Sequence, residues 1–150
     1  RVIVDARLQT PASARILQPP GTVWVYTATD PATSAARRAE LQTAGATVVD
    51  CPGANGKVDL AAMLRDLAAR EINELHVEAG HKLNGSFLRE GLVDELLLYL
   101  APKLLGEGAG LAALGPFEAL NQAPGFEFVD VRRIGPDLRL RARPPGRDAF

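Results

Sequence analysis

Cysteine is almost absent: Cys51 stands alone among 150 residues, so no internal disulfide forms. Its polar, glycine-containing surroundings, CPGANGK, mark an incidental thiol of a reducing compartment, which points to the cytoplasm. No apolar run approaches the roughly 20 residues of a membrane helix, and the amino terminus lacks the basic-then-apolar pattern of an export signal. An excess of charge is missing too. With 17 basic and 18 acidic side chains the formal net charge is -1, so no overall positive field draws the chain to nucleic acid or to an anionic membrane. Arg1 runs straight into Val2, Ile3 and Val4 with no methionine and no lead-in, and the expectation is a chain cut from something longer.

What is present suits one soluble domain with one core, since 47% of the residues are hydrophobic and a chain of this size buries roughly two thirds of its unfolded surface. Strand-like and helix-like segments alternate through the first two thirds, the pattern of a sheet covered by helices. Val2 to Asp5 and Thr22 to Tyr26 read as strands, the first apolar enough to be central, with Pro11, Pro19, Pro20 and Gly21 marking the loop between them. Asp30-Pro31 predicts the start of a helix over about 31 to 44, with Ala32, Ala35, Ala36 and Ala39 as a small-residue face and Gly45 ending it. Thr47 to Val49 is a short strand, a turn follows at Gly53 to Gly56, and Asp59 caps the next helix. There Leu60, Met63, Leu64, Leu67 and Ala68 share one face, a core stripe. Glu74 to Glu78 is predicted as a strand, Lys82 to Glu90 as a helix and Val93 to Ala101 as a long strand. The glycine- and proline-rich residues 105 to 125 form a long loop, functional or mobile. Phe126 to Arg133 and Leu138 to Ala142 alternate around Gly135-Pro136-Asp137, which predicts a closing antiparallel hairpin, and Pro144 to Phe150 reads as a tail. The fold class is α/β, with a mixed sheet flanked by helices.

Chemistry concentrates in Val77 to Ser86, VEAGHKLNGS. A strand ends at Val77, a carboxylate follows at Glu78, and Ala79-Gly80 let the backbone turn before a helix. A bound phosphate must approach the main chain closely, so small residues suit it. Helix-start N–H groups and the helix dipole favour an anion by about 0.3 to 1 kcal/mol per charge. Lys82 and Ser86 add a cation and a hydroxyl. On the turn alone two readings stand, a phosphate site and a plain strand-to-helix connection. Glu78 has two as well: a solvated or capping carboxylate, or a substrate anchor at the carboxyl end of a strand, where open α/β sheets bind ligands.

The run Val77 to Gly106, VEAGHKLNGSFLREGLVDELLLYLAPKLLG, together with RVIVDARLQTP at the start, resembles the reductase domain of bacterial riboflavin biosynthesis protein RibD, the bifunctional deaminase/reductase. The resemblance implies a dihydrofolate reductase-like fold, NADPH as cofactor, and reduction of the ribose of 5-amino-6-(5-phosphoribosylamino)uracil, a small phosphoribosylaminopyrimidine, to a ribityl chain. It makes Glu78 a substrate contact and Gly80, His81, Lys82, Leu83, Asn84, Gly85 and Ser86 the cofactor's phosphate-binding turn, and it puts Ala6 beside the cofactor. It also implies a homodimer. Arg7, by its charge and place, is a partner for the 2′-phosphate. Family members often have two glycines after the glutamate, whereas here the first is Ala79, which fits the turn if its φ is negative. The zinc deaminase motif, H-x-E with P-C-x-x-C, is not in these residues. Residues 1–150 are therefore expected to be most of the reductase domain, without its beginning and without the deaminase domain.

The remaining candidates read more plainly. His76, inside the predicted strand, is a packed core histidine, and His81 has no cysteine or carboxylate cluster at metal-ligand spacing, so no metal is expected. Asp94 and Glu95 are adjacent, point to opposite faces of a strand and serve to cap or solvate its start. Arg139, Arg141 and Arg143 alternate with Leu138, Leu140 and Ala142 as a solvent-facing row, without a nucleic-acid role. Two other functions remain open beside the riboflavin reductase: dihydrofolate reductase itself, which shares the fold, and a non-catalytic fragment that associates with itself through an exposed sheet edge.

Overall fold

The computed structural model describes residues 1–18 and 20–147; the predicted loop position Pro19 and the tail residues 148–150 lie outside the described residues. The chain divides into two compact units, Arg1–Leu75 and the residues from His76 on, where the sequence suggested a single core.

The first unit holds a three-stranded parallel sheet in the order β1 (Val2–Val4), β2 (Val23–Thr27), β3 (Ala46–Asp50). The expected central strand, β1, is an edge of this sheet. β2 is central instead, because its Val23, Val25, Tyr26 and Thr27 are fully buried while β1 stays half-buried. Helix α1 (Ala35–Thr43) begins four residues after the predicted start. Asp30 does accept from the N–H groups of Ala32 at 2.7 Å and Thr33 at 3.4 Å, but that closes a separate turn, and the alanine face is exposed while Leu41 is the buried anchor. Gly45, at φ 93°, ends the helix in the left-handed conformation as expected. Helix α2 (Leu60–Ala69) starts at Asp59, whose carboxylate accepts from the Ala62 N–H at 2.8 Å. Leu60, Met63 and Leu67 of the predicted stripe are buried.

The predicted strand Glu74–Glu78 does not form: residues 73–80 carry no regular structure, and His76, Val77 and Glu78 are exposed. A strand needs a ladder partner for its backbone groups, and no strand of the described residues pairs with this stretch. His76 is accordingly no core histidine. Its Nε2 lies 3.3 Å from the Glu78 carboxylate, and 62% of its side chain is exposed.

The second unit contains helix α3 (His81–Arg89) and a three-stranded antiparallel sheet in the order β4 (Leu96–Leu100), β6 (Asp137–Arg143), β5 (Glu127–Ile134). β5 and β6 are the predicted hairpin, turning at Gly135 with φ 59°. β4 is shorter than predicted, because Asp94 and Glu95 precede it and face arginines instead of capping or solvating it. Asp94 pairs with Arg147, and Glu95 accepts from Arg141 at 2.9 and 2.8 Å and from Arg143 at 2.9 Å. Arg139 meets Asp130 at 2.8 Å. The arginine row is thus an ion-paired layer, since the register sets Leu96 opposite Ala142 and carries Glu95 to Arg143. Residues 101–126 form the long loop, with one short 3₁₀ turn at Leu120–Gln122. Among the described residues no helix is long and apolar enough to cross a membrane.

Candidate functional site

Helix α3 begins at Gly80, which has extended backbone angles, φ −75° and ψ 164°, and makes no side-chain cap. Phe87 buries the helix on its inner side, and Gly91, at φ 65°, follows its end. The first internal hydrogen bonds are made by Leu83 and Asn84, whose N–H groups each reach the Gly80 carbonyl at 3.1 Å. The N–H groups of His81 and Lys82 come before them and have no helical carbonyl to meet. Ala79 is not among the residues of positive φ, so alanine suits the position.

Glycine at position 80 is not demanded by the chain. An added Cβ would meet no heavy atom within 4 Å, and the φ value is open to any residue. Lys82 is exposed and has no ion-pair partner among the described residues. Glu78, two residues before Gly80, has 85% of its side chain exposed.

The rest of the predicted turn lies inside the helix. Asn84 donates through Nδ2 to the carbonyls of Ala79 at 3.2 Å and Leu111 at 3.0 Å. Gly85 is buried against Ala113. The Ser86 hydroxyl donates to the Lys82 carbonyl at 3.3 Å and accepts from Arg89 at 3.1 Å. Leu83 is half-buried. The structure therefore brings Glu78, Gly80, His81 and Lys82 together at one helix end and gives Asn84, Gly85 and Ser86 other partners.

In the first unit, Ala6 follows β1, and its carbonyl accepts from the Ala28 N–H at 3.2 Å and the Thr27 hydroxyl at 3.3 Å. The next residues form a tight turn that composition did not reveal. Asp5 accepts from the Thr10 N–H at 2.7 Å, the Thr10 hydroxyl at 2.6 Å and the Arg7 N–H at 3.3 Å. Burial pushes the Asp5 carboxyl up, but the hydrogen bonds from Thr10, Gln9 and Arg7 outweigh it and hold the group below its ordinary range. Leu8, at φ 53°, is buried in the core, and Arg37 from α1 donates to the carbonyls of Leu8 at 3.0 Å and of Thr10. The Arg7 guanidinium has no partner among the described residues.

Compared with known proteins, the sequence matches the family model of the RibD C-terminal domain over residues 1–140. The chain belongs to the RibD C-terminal domain family. RibD from Escherichia coli strain K12 is 38% identical over 141 residues, which cover 93% of this chain and 36% of that protein. A Buchnera aphidicola protein named 5-amino-6-(5-phosphoribosylamino)uracil reductase is 30% identical over 145 residues, 96% of this chain and 67% of that protein. Among solved structures, Acinetobacter baumannii RibD matches with a TM-score of 0.78 at 33% identity, over 96% of this chain and 37% of that one. The chain spans about a third of the length of the E. coli and A. baumannii RibD chains. The fold class is that of RibD reductase domains, α/β and dihydrofolate reductase-like, here with its parallel strands in one sheet and its antiparallel strands in another. RibD reductases are oxidoreductases, and a nicotinamide cofactor is consistent with that.

Proposed function

We propose that this chain carries the nucleotide-binding part of a 5-amino-6-(5-phosphoribosylamino)uracil reductase that uses NADPH. The observation that supports it best is Gly80, a glycine required neither by φ nor by protein packing, at the N-cap of α3 beside the unpaired N–H groups of His81 and Lys82. These groups, with the Lys82 ammonium, suit the pyrophosphate of a dinucleotide. When bound, the cofactor supplies a hydride to C1 of the substrate's ring-opened, imine-like ribose, which becomes the ribityl chain.

The chain's own part is to bind and orient. Gly80, His81 and Lys82 hold phosphate oxygens through N–H groups and charge, and the half-buried Leu83 is assigned to the same turn on the family resemblance. Ala6 is assigned a cofactor contact on the family resemblance, and Arg7 is the candidate for the 2′-phosphate. Glu78, exposed beside the turn, orients the substrate by accepting a hydrogen bond. The family resemblance also supports a cytoplasmic homodimer.

Glu78→Gln in the complete reductase domain tests the substrate role. The substituted enzyme should lose turnover by about tenfold or more, roughly the worth of one charge-assisted hydrogen bond, while NADPH affinity stays as it was. Unchanged turnover and unchanged substrate affinity would remove Glu78 from the site.

A further inference from the structure

Residues 106–115 are glycine-rich and have no regular structure, yet they are tied to α3 at several points. The Ala113 N–H donates to the His81 carbonyl at 2.8 Å. The Asn84 amide donates to the Leu111 carbonyl at 3.0 Å. Arg89 donates to the Ala113 carbonyl. Between these bonds sits Gly85, where an added Cβ would lie 2.3 Å from the Ala113 oxygen and 2.9 Å from its nitrogen. Glycine inside a helix weakens the helix, and here it lets a second backbone lie directly on the helix surface.

Asn84 connects this contact to the turn. Its one NH₂ group holds two carbonyls, that of Leu111 and that of Ala79 at 3.2 Å. The Ala79 carbonyl and the Gly80 N–H belong to the same planar peptide and point in opposite directions. Fixing one therefore aims the other.

We propose that Leu111–Ala113 is a strap whose docking on Asn84 and Gly85 fixes the Ala79–Gly80 peptide, so that Asn84 and Gly85 are positioning residues of the nucleotide turn and not contacts of the phosphates. The role rests on the nucleotide reading of that turn given above. It accounts for a polar side chain and a helix-weakening glycine at successive positions of a helix whose first turn alone faces a ligand.

The test compares Gly85→Ala, Asn84→Leu and Asn84→Gln in the 150-residue chain, by amide hydrogen exchange at Ala113, by thermal unfolding and by NADPH titration. Helix propensity alone would make Gly85→Ala more stable. With the strap in place, Gly85→Ala and Asn84→Leu should instead speed exchange at Ala113 and weaken NADPH binding about tenfold, with the unfolding midpoint little changed. Asn84→Gln keeps the amide donors and should recover most of the affinity. Unchanged exchange at Ala113 in Gly85→Ala overturns the strap. Faster exchange with unchanged NADPH affinity, or Asn84→Gln as weak as Asn84→Leu, overturns the positioning role while leaving the nucleotide reading intact. Absence of NADPH binding by the unaltered chain removes the nucleotide reading, and the positioning role with it, whatever the exchange at Ala113.

Discussion

At position 80 a side chain would touch nothing of the protein within 4 Å, and φ −75° suits any residue. At position 85 a side chain would collide with the Ala113 backbone at 2.3 Å. Two glycines five positions apart thus stand in opposite surroundings: no protein atom fills the space at position 80, whereas position 85 admits a neighbouring segment of the same chain. Gly80→Val separates them. The substituted chain should keep its stability to within about 1 kcal/mol, the scale of an N-cap change, and lose NADPH affinity by about tenfold or more, because the branched side chain fills the approach to the N–H groups. Calorimetric titration beside a thermal melt reads both, and an affinity equal to that of the unaltered chain would mean that the space over Gly80 is not used. Leu8 makes a related point. A buried leucine at φ 53° is strained, and it is held by the Arg37 guanidinium and the Asp5 turn, so the backbone beside Ala6 and Arg7 is fixed in shape.

Among the elements, β4 and β6 are joined across 46 and 48 residues by Glu95, which takes both Arg141 and Arg143. The hydrogen bonds from Arg141, then those from Arg143, pull the Glu95 carboxyl down to about 2 against the opposing effect of burial. A carboxyl whose folded value lies below its unfolded value stabilises the fold fully above the unfolded value, ordinarily 4.5, and this stability is lost as the pH falls towards 2. Thermal melts of the chain should therefore drop between those values. Glu95→Gln should flatten that part of the profile and cost about 1 to 2 kcal/mol at neutral pH, a modest sum because the pair is partly solvated. An identical acid profile in the variant would show that Glu95 does not carry it. Sequence periodicity gave no sign of this pairing, since an alternating Arg/Leu strand looks the same whether its arginines meet water or carboxylates; the partner is set by strand register. Elements held by local rules were easier to read: the Asp59 cap, the Leu60, Met63 and Leu67 stripe, and the hairpin about Gly135 all stand where the local pattern places them. The stretch Glu74–Glu78 failed as a strand because alternation of Leu75 and Val77 cannot report whether a partner edge exists.

For the whole molecule, the two units divide the fold by strand direction, parallel in the first and antiparallel in the second. The match over residues 1–140 to the RibD C-terminal domain joins them in one family pattern. The family, its fold and the glycine-marked helix start were legible in the motif residues of VEAGHKLNGS and RVIVDARLQTP. The division of labour within that motif was not, because the segment from Leu111 to Ala113 that occupies Asn84 and Gly85 lies about 27 residues away in sequence and has no periodicity of its own. The proposed function rests on the first turn of α3 as the seat of the phosphates of a nicotinamide nucleotide. Its most direct test is an NADPH titration of the ¹⁵N-labelled chain followed at each backbone amide. Saturable shifts led by Gly80, His81 and Lys82 are expected; binding that leaves these three amides unmoved, or no binding at all, would remove the phosphates from this turn.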